Sequence, residues 1–214
     1  PECSLGALED RAPRVAAVLA RCLAAEARER PGLEEVRQLF EAEREQRPFT
    51  VGQLGAAGAP NNLPRLGAAL VGRTAELEVL EGALATNSLV TLAGPGGAGK
   101  TRRALEVGHR ALEGAPGGIW IVDLCGLGDG ASLAELVASV LGAQASGSGS
   151  TLEAVCAHLR MSPGLLILDN CEHILDDCAA LVTEVLAGAP GIRILATSQE
   201  PMGLVEEQLI RLAP

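Results

Sequence analysis

From residue 88 onward the apolar positions alternate between two patterns. Short unbroken runs, at 88–93 (SLVTLA), 119–124 (IWIVDL), 165–168 (LLIL) and 192–196, read as strands, and 208–212 reads as a fifth. Between them lie segments with helical spacing at 101–112, 132–141, 151–160 and 172–186. Ser132 stands at one helix start with Glu135 three residues on, which is capping chemistry. Residues 144–150 form a polar Gly/Ser loop. Continuously apolar strands separated by helices predict an α/β fold, a parallel sheet covered on both faces.

Upstream the pattern changes. Val15, Val18, Leu19, Cys22 and Leu23 recur at helical spacing, Pro31-Gly32 breaks the run, and Leu33, Val36, Leu39 and Phe40 give a second amphipathic helix. The density of Pro, Gly and Asn over 48–66 then reads as a linker. The predicted organisation is a helical segment at 1–47, a linker at 48–66 and a compact domain at 67–214, with no internal repeat.

Composition narrows the picture. Hydrophobic residues make up 48% of the 214, enough for a core, but aromatics only 1%, so that core is built from Ala, Val, Leu and Ile. The net charge of −10 repels phosphates at long range, which argues against direct nucleic-acid binding by this segment. No apolar run approaches the ~20 residues needed to cross a bilayer, and the first residues, Pro1-Glu2-Cys3, are not a signal peptide. A cytoplasmic location is expected, and the lack of an initiating Met suggests a chain cut from something longer. The six Cys are scattered with no CxxC pair, so reduced thiols are expected. Cys171, His173 and Cys178 lack the second half of a zinc pattern.

The sharpest signal is Gly94-Pro95-Gly96-Gly97-Ala98-Gly99-Lys100-Thr101, a phosphate-binding P-loop. Its glycines let the backbone curl so that successive N–H groups face phosphate oxygens, and the following helix adds its positive dipole end. Lys100 is expected to reach the β- and γ-phosphates, with Arg102 close behind, and the Thr101 hydroxyl to ligate Mg²⁺. Lys100 is the single lysine among 17 basic residues, which implies that a compact ammonium is needed there. A P-loop also needs a carboxylate for magnesium, and Asp169 at the end of the 165–168 run supplies one. The position after it, where many ATPases carry the base, is Asn170. Glu172 is the remaining candidate base, or simply a helix-opening charge. Asp123 is a weaker candidate at the end of another strand. His173 and Asp176 read as helix-surface residues, and Trp120 as core.

These motifs resemble a family. Pro60-Asn61-Asn62-Leu63-Pro64, then Leu70-Val71-Gly72-Arg73 with Glu76-Leu77, is similar to the entry of bacterial STAND-class signalling ATPases, relatives of NB-ARC domains. Leu168-Asp169-Asn170-Cys171-Glu172-His173 resembles their second acidic motif, and Ala196-Thr197-Ser198-Gln199-Glu200-Pro201-Met202-Gly203 their sensor segment. The resemblance, over about residues 60–214, implies a five-stranded P-loop NTPase sheet in the order 5-1-4-3-2. It implies ATP or ADP with Mg²⁺ as cofactors, Val71, Gly72 and Arg73 against adenine and ribose, and Thr197 and Ser198 near the γ-phosphate. The family usually has Arg where Gln199 stands, which implies weak γ-phosphate sensing and slow hydrolysis. Helical and winged-helix domains follow in the family, so the chain looks truncated after the fifth strand; those downstream domains are the implied partners, and a homo-oligomer on activation is compatible with the class. Residues 15–36, with Arg30-Pro31, resemble the end of a bacterial serine/threonine kinase domain, without any catalytic kinase motif. The expectation is an ATP/Mg²⁺-binding regulatory switch, against two rivals: a small-substrate P-loop kinase or NTPase, and a nucleotide-independent interaction module.

Overall fold

The computed structural model describes residues 21, 31–32, 59–66, 74–112, 114–127, 132–144 and 149–212. The chain divides into two units, Pro1–Pro48 and Phe49–Pro214. The helices expected over 11–46, and Val71, Gly72 and Arg73, lie outside the described residues, save for Arg21, Pro31 and Gly32.

In chain order the second unit contains α1 (Thr74–Thr86), β1 (Leu89–Ala93), α2 (Lys100–Ala111), β2 (Ile119–Asp123), α3 (Leu133–Leu141), α4 (Thr151–Met161), β3 (Leu165–Asp169), α5 (Leu175–Gly188), β4 (Arg193–Ser198) and β5 (Glu207–Arg211). The strands form one sheet in the order β2-β3-β4-β1-β5, parallel throughout. This is the 5-1-4-3-2 order, read from the other edge.

Period-two alternation splits the strands between two cores. Leu165 and Ile167 join Val90, Leu92 and Leu195 beneath α1 and α2, with Leu77, Leu80, Leu84, Ala104 and Val107. Leu166 and Leu168 join Leu89, Ile194 and Ala196 beneath α3, α4 and α5, with Val137, Val155, Leu159, Val182 and Val185. Both faces are covered, which is why every residue of β1 and β3 is buried.

The helix α1 is missing from the expectations above. Leu77, Leu80 and Leu84 do form its buried stripe. Exposed Val79, with Ala75 and Ala85 off that stripe, blurs the periodicity. A second difference is the helix expected from 172. The chain instead makes a single 3₁₀ turn at Cys171–His173, and α5 starts only at Leu175. The cause is Asn170, whose left-handed backbone (φ 65°) turns the chain out of β3 before any α-helix can begin. Ser132 and Ser150 cap α3 and α4 as side-chain acceptors, and Ser150 with Glu153 completes a reciprocal capping box.

Within the stretch 48–66, residues 60–62 run along the outer edge of β2. Ile119 N–H donates to Pro60 O at 3.0 Å and Asn62 N–H to Ile119 O at 3.4 Å. The Asn62 side chain then mimics a strand, accepting from Ile121 N–H at 2.7 Å and donating to Ile121 O at 2.8 Å. Gly118 makes the approach feasible: a Cβ there would stand 2.3 Å from Pro60 O.

Candidate functional site

The candidate site lies at the carboxyl ends of β1, β3 and β4, where a parallel α/β sheet opens its crevice. β1 ends at Ala93, and Gly94 N–H continues the ladder to Ser198 O at 3.2 Å. Leu212 packs close beneath, so a Cβ at Gly94 would stand 3.0 Å from its carbonyl. The loop then turns on Ala98 N–H to Pro95 O (3.2 Å) and on two glycines of positive φ, Gly97 and Gly99, both at 79°. Only glycine adopts that backbone without strain. Gly99 is also the N-cap of α2, so the loop delivers its last peptides to a helix N-terminus.

Among the described residues, the N–H groups of Gly96, Gly97, Gly99, Lys100 and Thr101 have no acceptor within the protein. A run of such donors at a helix N-terminus suits a polyanion. Lys100, 8% exposed, folds back over the loop and donates to Gly94 O at 2.9 Å and Pro95 O at 3.1 Å. Its ammonium is thus tethered at the loop's mouth. Arg102, half-buried, lies 3.8 Å from Glu106 across one helical turn.

Asp169 sits opposite, 3% exposed. Its Oδ1 accepts from Thr101 Oγ1 at 2.9 Å and from Thr197 Oγ1, and its Oδ2 from Asn170 Nδ2 at 3.3 Å. Burial pushes its carboxyl above the ordinary range; the hydrogen bonds from Thr197 and Thr101 oppose that rise, and the nearby charges of Asp123 and Glu172 add to it. A buried carboxylate held by a hydroxyl from the P-loop is a donor set suited to Mg²⁺, which takes one or two carboxylate or hydroxyl ligands plus phosphate and water. The cation would offset the cost of keeping Asp169 ionised.

The structure brings Lys100, Thr101, Asp169 and Thr197 together. Ser198 takes part through its backbone, and its Oγ accepts from Glu200 N–H at 3.2 Å. Asn170 bridges two strand ends: Nδ2 donates to Asp123 Oδ1 at 3.0 Å as well as to Asp169, and its N–H donates to Thr197 Oγ1 at 3.0 Å. Asp123 therefore belongs to this polar cluster. Glu172, partly buried, accepts from Gln199 Nε2 at 3.2 Å through Oε1, while Oε2 is buried without a partner among the described residues. Cys171 donates its thiol to Leu168 O, and the contact with Cys178 together with burial raises its pKa far above the ordinary value, so it packs as core. Trp120 is partly buried on the edge strand β2, its Nε1 turned to Gly117 O.

Sequence reasoning passed over Arg103. It is 3% exposed, yet its guanidinium donates to Ala98 O at 2.6 Å and Gly99 O at 3.2 Å and pairs with Glu76 Oε2 at 2.6 Å. The available clue was an Arg at a position where the helical spacing of Ala104, Val107 and Ala111 points inward.

Parallel strand order, loop and carboxylate together define a P-loop NTPase fold. A solved structure of Cdc6p from Pyrobaculum aerophilum shares it, with a TM-score of 0.51 at 18% identity over 74% of this chain and 48% of that one. A Signal Transduction ATPase with Numerous Domains from Pyrococcus horikoshii aligns over 70% of this chain and 24% of its own at 16% identity, TM-score 0.49. No family model matches the chain. In sequence it is similar to proteins of Mycobacterium and Streptomyces, two of the following three being named as regulators. Rv0890c of Mycobacterium tuberculosis, named as an HTH-type transcriptional regulator, is 40% identical over 124 residues, 58% of this chain and 14% of that protein. The uncharacterized protein Rv0894 of the same organism is 36% identical over 144 residues, 67% of this chain and 37% of its own length. Regulatory protein AfsR of Streptomyces griseus is 33% identical over 156 residues, 67% of this chain and 16% of AfsR. The chain thus spans a minor part of each of these relatives. No helix among the described residues is long and apolar enough to cross a membrane.

Proposed function

We propose that this chain is the nucleotide-binding switch of a larger regulatory protein. ATP or ADP with Mg²⁺ would bind the crevice: the loop 94–101 would hold the phosphates through its N–H groups and Lys100, and Thr101 and Asp169 would hold the metal. The observation that carries this reading is the donor run at a helix N-terminus facing a carboxylate already bonded to Thr101 at 2.9 Å. The relatives named as regulators support a regulatory output over metabolism.

The nucleotide, rather than turnover, is the proposed signal. Asn170 stands where a base would follow Asp169 and spends its amide on Asp123 and Asp169. Glu172 is the remaining base, and its Oε1 is engaged by Gln199. Thr197 would report the γ-phosphate through Asp169, to which its hydroxyl is bonded. Slow hydrolysis follows, and a long-lived ATP state would bias the packing of neighbouring domains by differential affinity. The family resemblance extends the reading to adenine contacts by Val71, Gly72 and Arg73, and to a kinase fusion through residues 1–47.

Calorimetric titration of the purified chain with ATP and ADP plus Mg²⁺ tests this. Micromolar binding that disappears in Lys100→Ala is the expected result. Equal binding by wild type and Lys100→Ala would sink the assignment of the loop.

A further inference from the structure

Resting on the nucleotide reading above, we propose that Arg103 is a positioning residue that aims and strengthens the phosphate-binding face of the loop from behind. The reasoning starts with the peptide unit. In a trans peptide the C=O and the next N–H point in opposite directions. Arg103 Nη1 holds the carbonyl of Ala98 at 2.6 Å, and at 3.2 Å it shares the carbonyl of Gly99 with Arg103's own backbone N–H, which donates to it at 3.1 Å. The N–H groups on those same two peptide units are those of Gly99 and Lys100. Both are among the donors without an acceptor in the protein. Pinning the two oxygens on the guanidinium side turns the two hydrogens to the far side, where a phosphate would sit.

Charge adds to orientation. A cation on a carbonyl oxygen polarises the whole peptide, making its N–H a stronger donor, because hydrogen bonds in series reinforce one another in a low-dielectric setting. Arg103 is nearly fully buried, so its charge is poorly screened by water. Isolated, such a charge would be costly. Glu76 on α1 offsets the cost: its Oε2 lies 2.6 Å from both Nε and Nη2. A lysine ammonium is a single point charge, whereas the planar fork can face Glu76 with one edge and the loop with another. The loop is shaped to admit that fork. A Cβ at Gly99 would stand 3.0 Å from Nη1, so glycine there serves the guanidinium's approach as well as the positive φ. The pair also ties the phosphate loop to α1, the helix that follows the segment 71–73.

Arg103→Leu and Arg103→Lys in the full chain, titrated with Mg-ATP, Mg-ADP and inorganic tripolyphosphate, test the proposal, with thermal unfolding recorded without nucleotide. Arg103→Leu is expected to weaken all three ligands on the order of tenfold, about 1.4 kcal/mol. The loss should be equal for tripolyphosphate and ATP, since the affected donors meet phosphates only. Arg103→Lys is expected to fall between Leu and wild type, while the unliganded melting temperature stays near that of wild type. Wild-type affinity in the Lys and Leu variants overturns the proposal, as does a loss confined to the nucleotides with tripolyphosphate unaffected. If Arg103→Leu does not fold, the Lys variant decides alone. Failure of the wild type itself to bind would instead remove the nucleotide reading, so the two failures are distinct.

Discussion

At the scale of single residues, the side chains of Lys100, Thr101, Asp169, Asn170 and Thr197 each have a hydrogen-bond partner that explains their position. Asp169 illustrates the tension: burial disfavours its charge, and Thr101, Thr197 and Asn170 hold it in place. Asp169→Asn removes a buried charge and keeps an acceptor for the two hydroxyls, but sets its amide nitrogen against Asn170 Nδ2, donor to donor. The variant should therefore stay folded, with a modest change in melting temperature, and lose the magnesium dependence of nucleotide binding. Thermal unfolding beside titration with and without Mg²⁺ reads both, and an Asp169→Asn protein with intact magnesium dependence would exclude Asp169 as ligand. Asn170 makes a different prediction. Its φ of 65° costs a β-branched residue far more than Asn or Gly. Asn170→Val should lower stability by about 1–3 kcal/mol in urea unfolding, and Asn170→Gly by less. Of these residues, the P-loop members and Asp169 were legible because their chemistry depends on local spacing. Arg103 and the bridge from Asn170 to Asp123 were not, because they join residues from separate elements.

At the scale of elements, legibility followed the strength of the local pattern. The five strands lie within two residues of their expected ends, because continuous apolar runs bounded by polar turns leave little freedom. α3 and α4 start where their capping serines stand, and Ser150→Ala should cost α4 about 1 kcal/mol in equilibrium unfolding. α1 escaped notice because small apolar residues lie on every side of it. The delayed start of α5 escaped it because the break is a backbone conformation at Asn170, which side-chain periodicity does not register. The strand β4 runs past its apolar stretch to Thr197 and Ser198, fully buried polar residues paired with Leu92 and Ala93. Polar identity suggested an end to the strand; hydrogen bonds from Thr197 to Asp169 and from Glu200 N–H to Ser198 Oγ satisfy the two hydroxyls where they are buried.

At the scale of the whole molecule, the parallel sheet of the second unit separates two apolar layers among the described residues, and its β2 edge is sealed by Pro60 and Asn62. Exposed edges invite pairing with other chains. Asn62→Ala removes both side-chain hydrogen bonds to Ile121. Hydrogen exchange at Ile121 should accelerate in that variant, with global stability reduced by about 1–2 kcal/mol; unchanged exchange would show that the backbone bonds at Pro60 and Asn62 suffice. The strand order came only through the family resemblance; the sequence's own patterns determined the fold class, the loop that would take phosphate and the carboxylate opposite it. These rest on spacing within short stretches and on apolar runs that must be covered. Tertiary structure alone decided that Arg103 stands behind the loop against Glu76, that Thr197 and Asn170 join Thr101 on Asp169, and that Asn62 closes an edge 59 residues away in sequence. Those contacts are set by how separately folded elements pack, and a parallel sheet brings together residues that no local pattern connects.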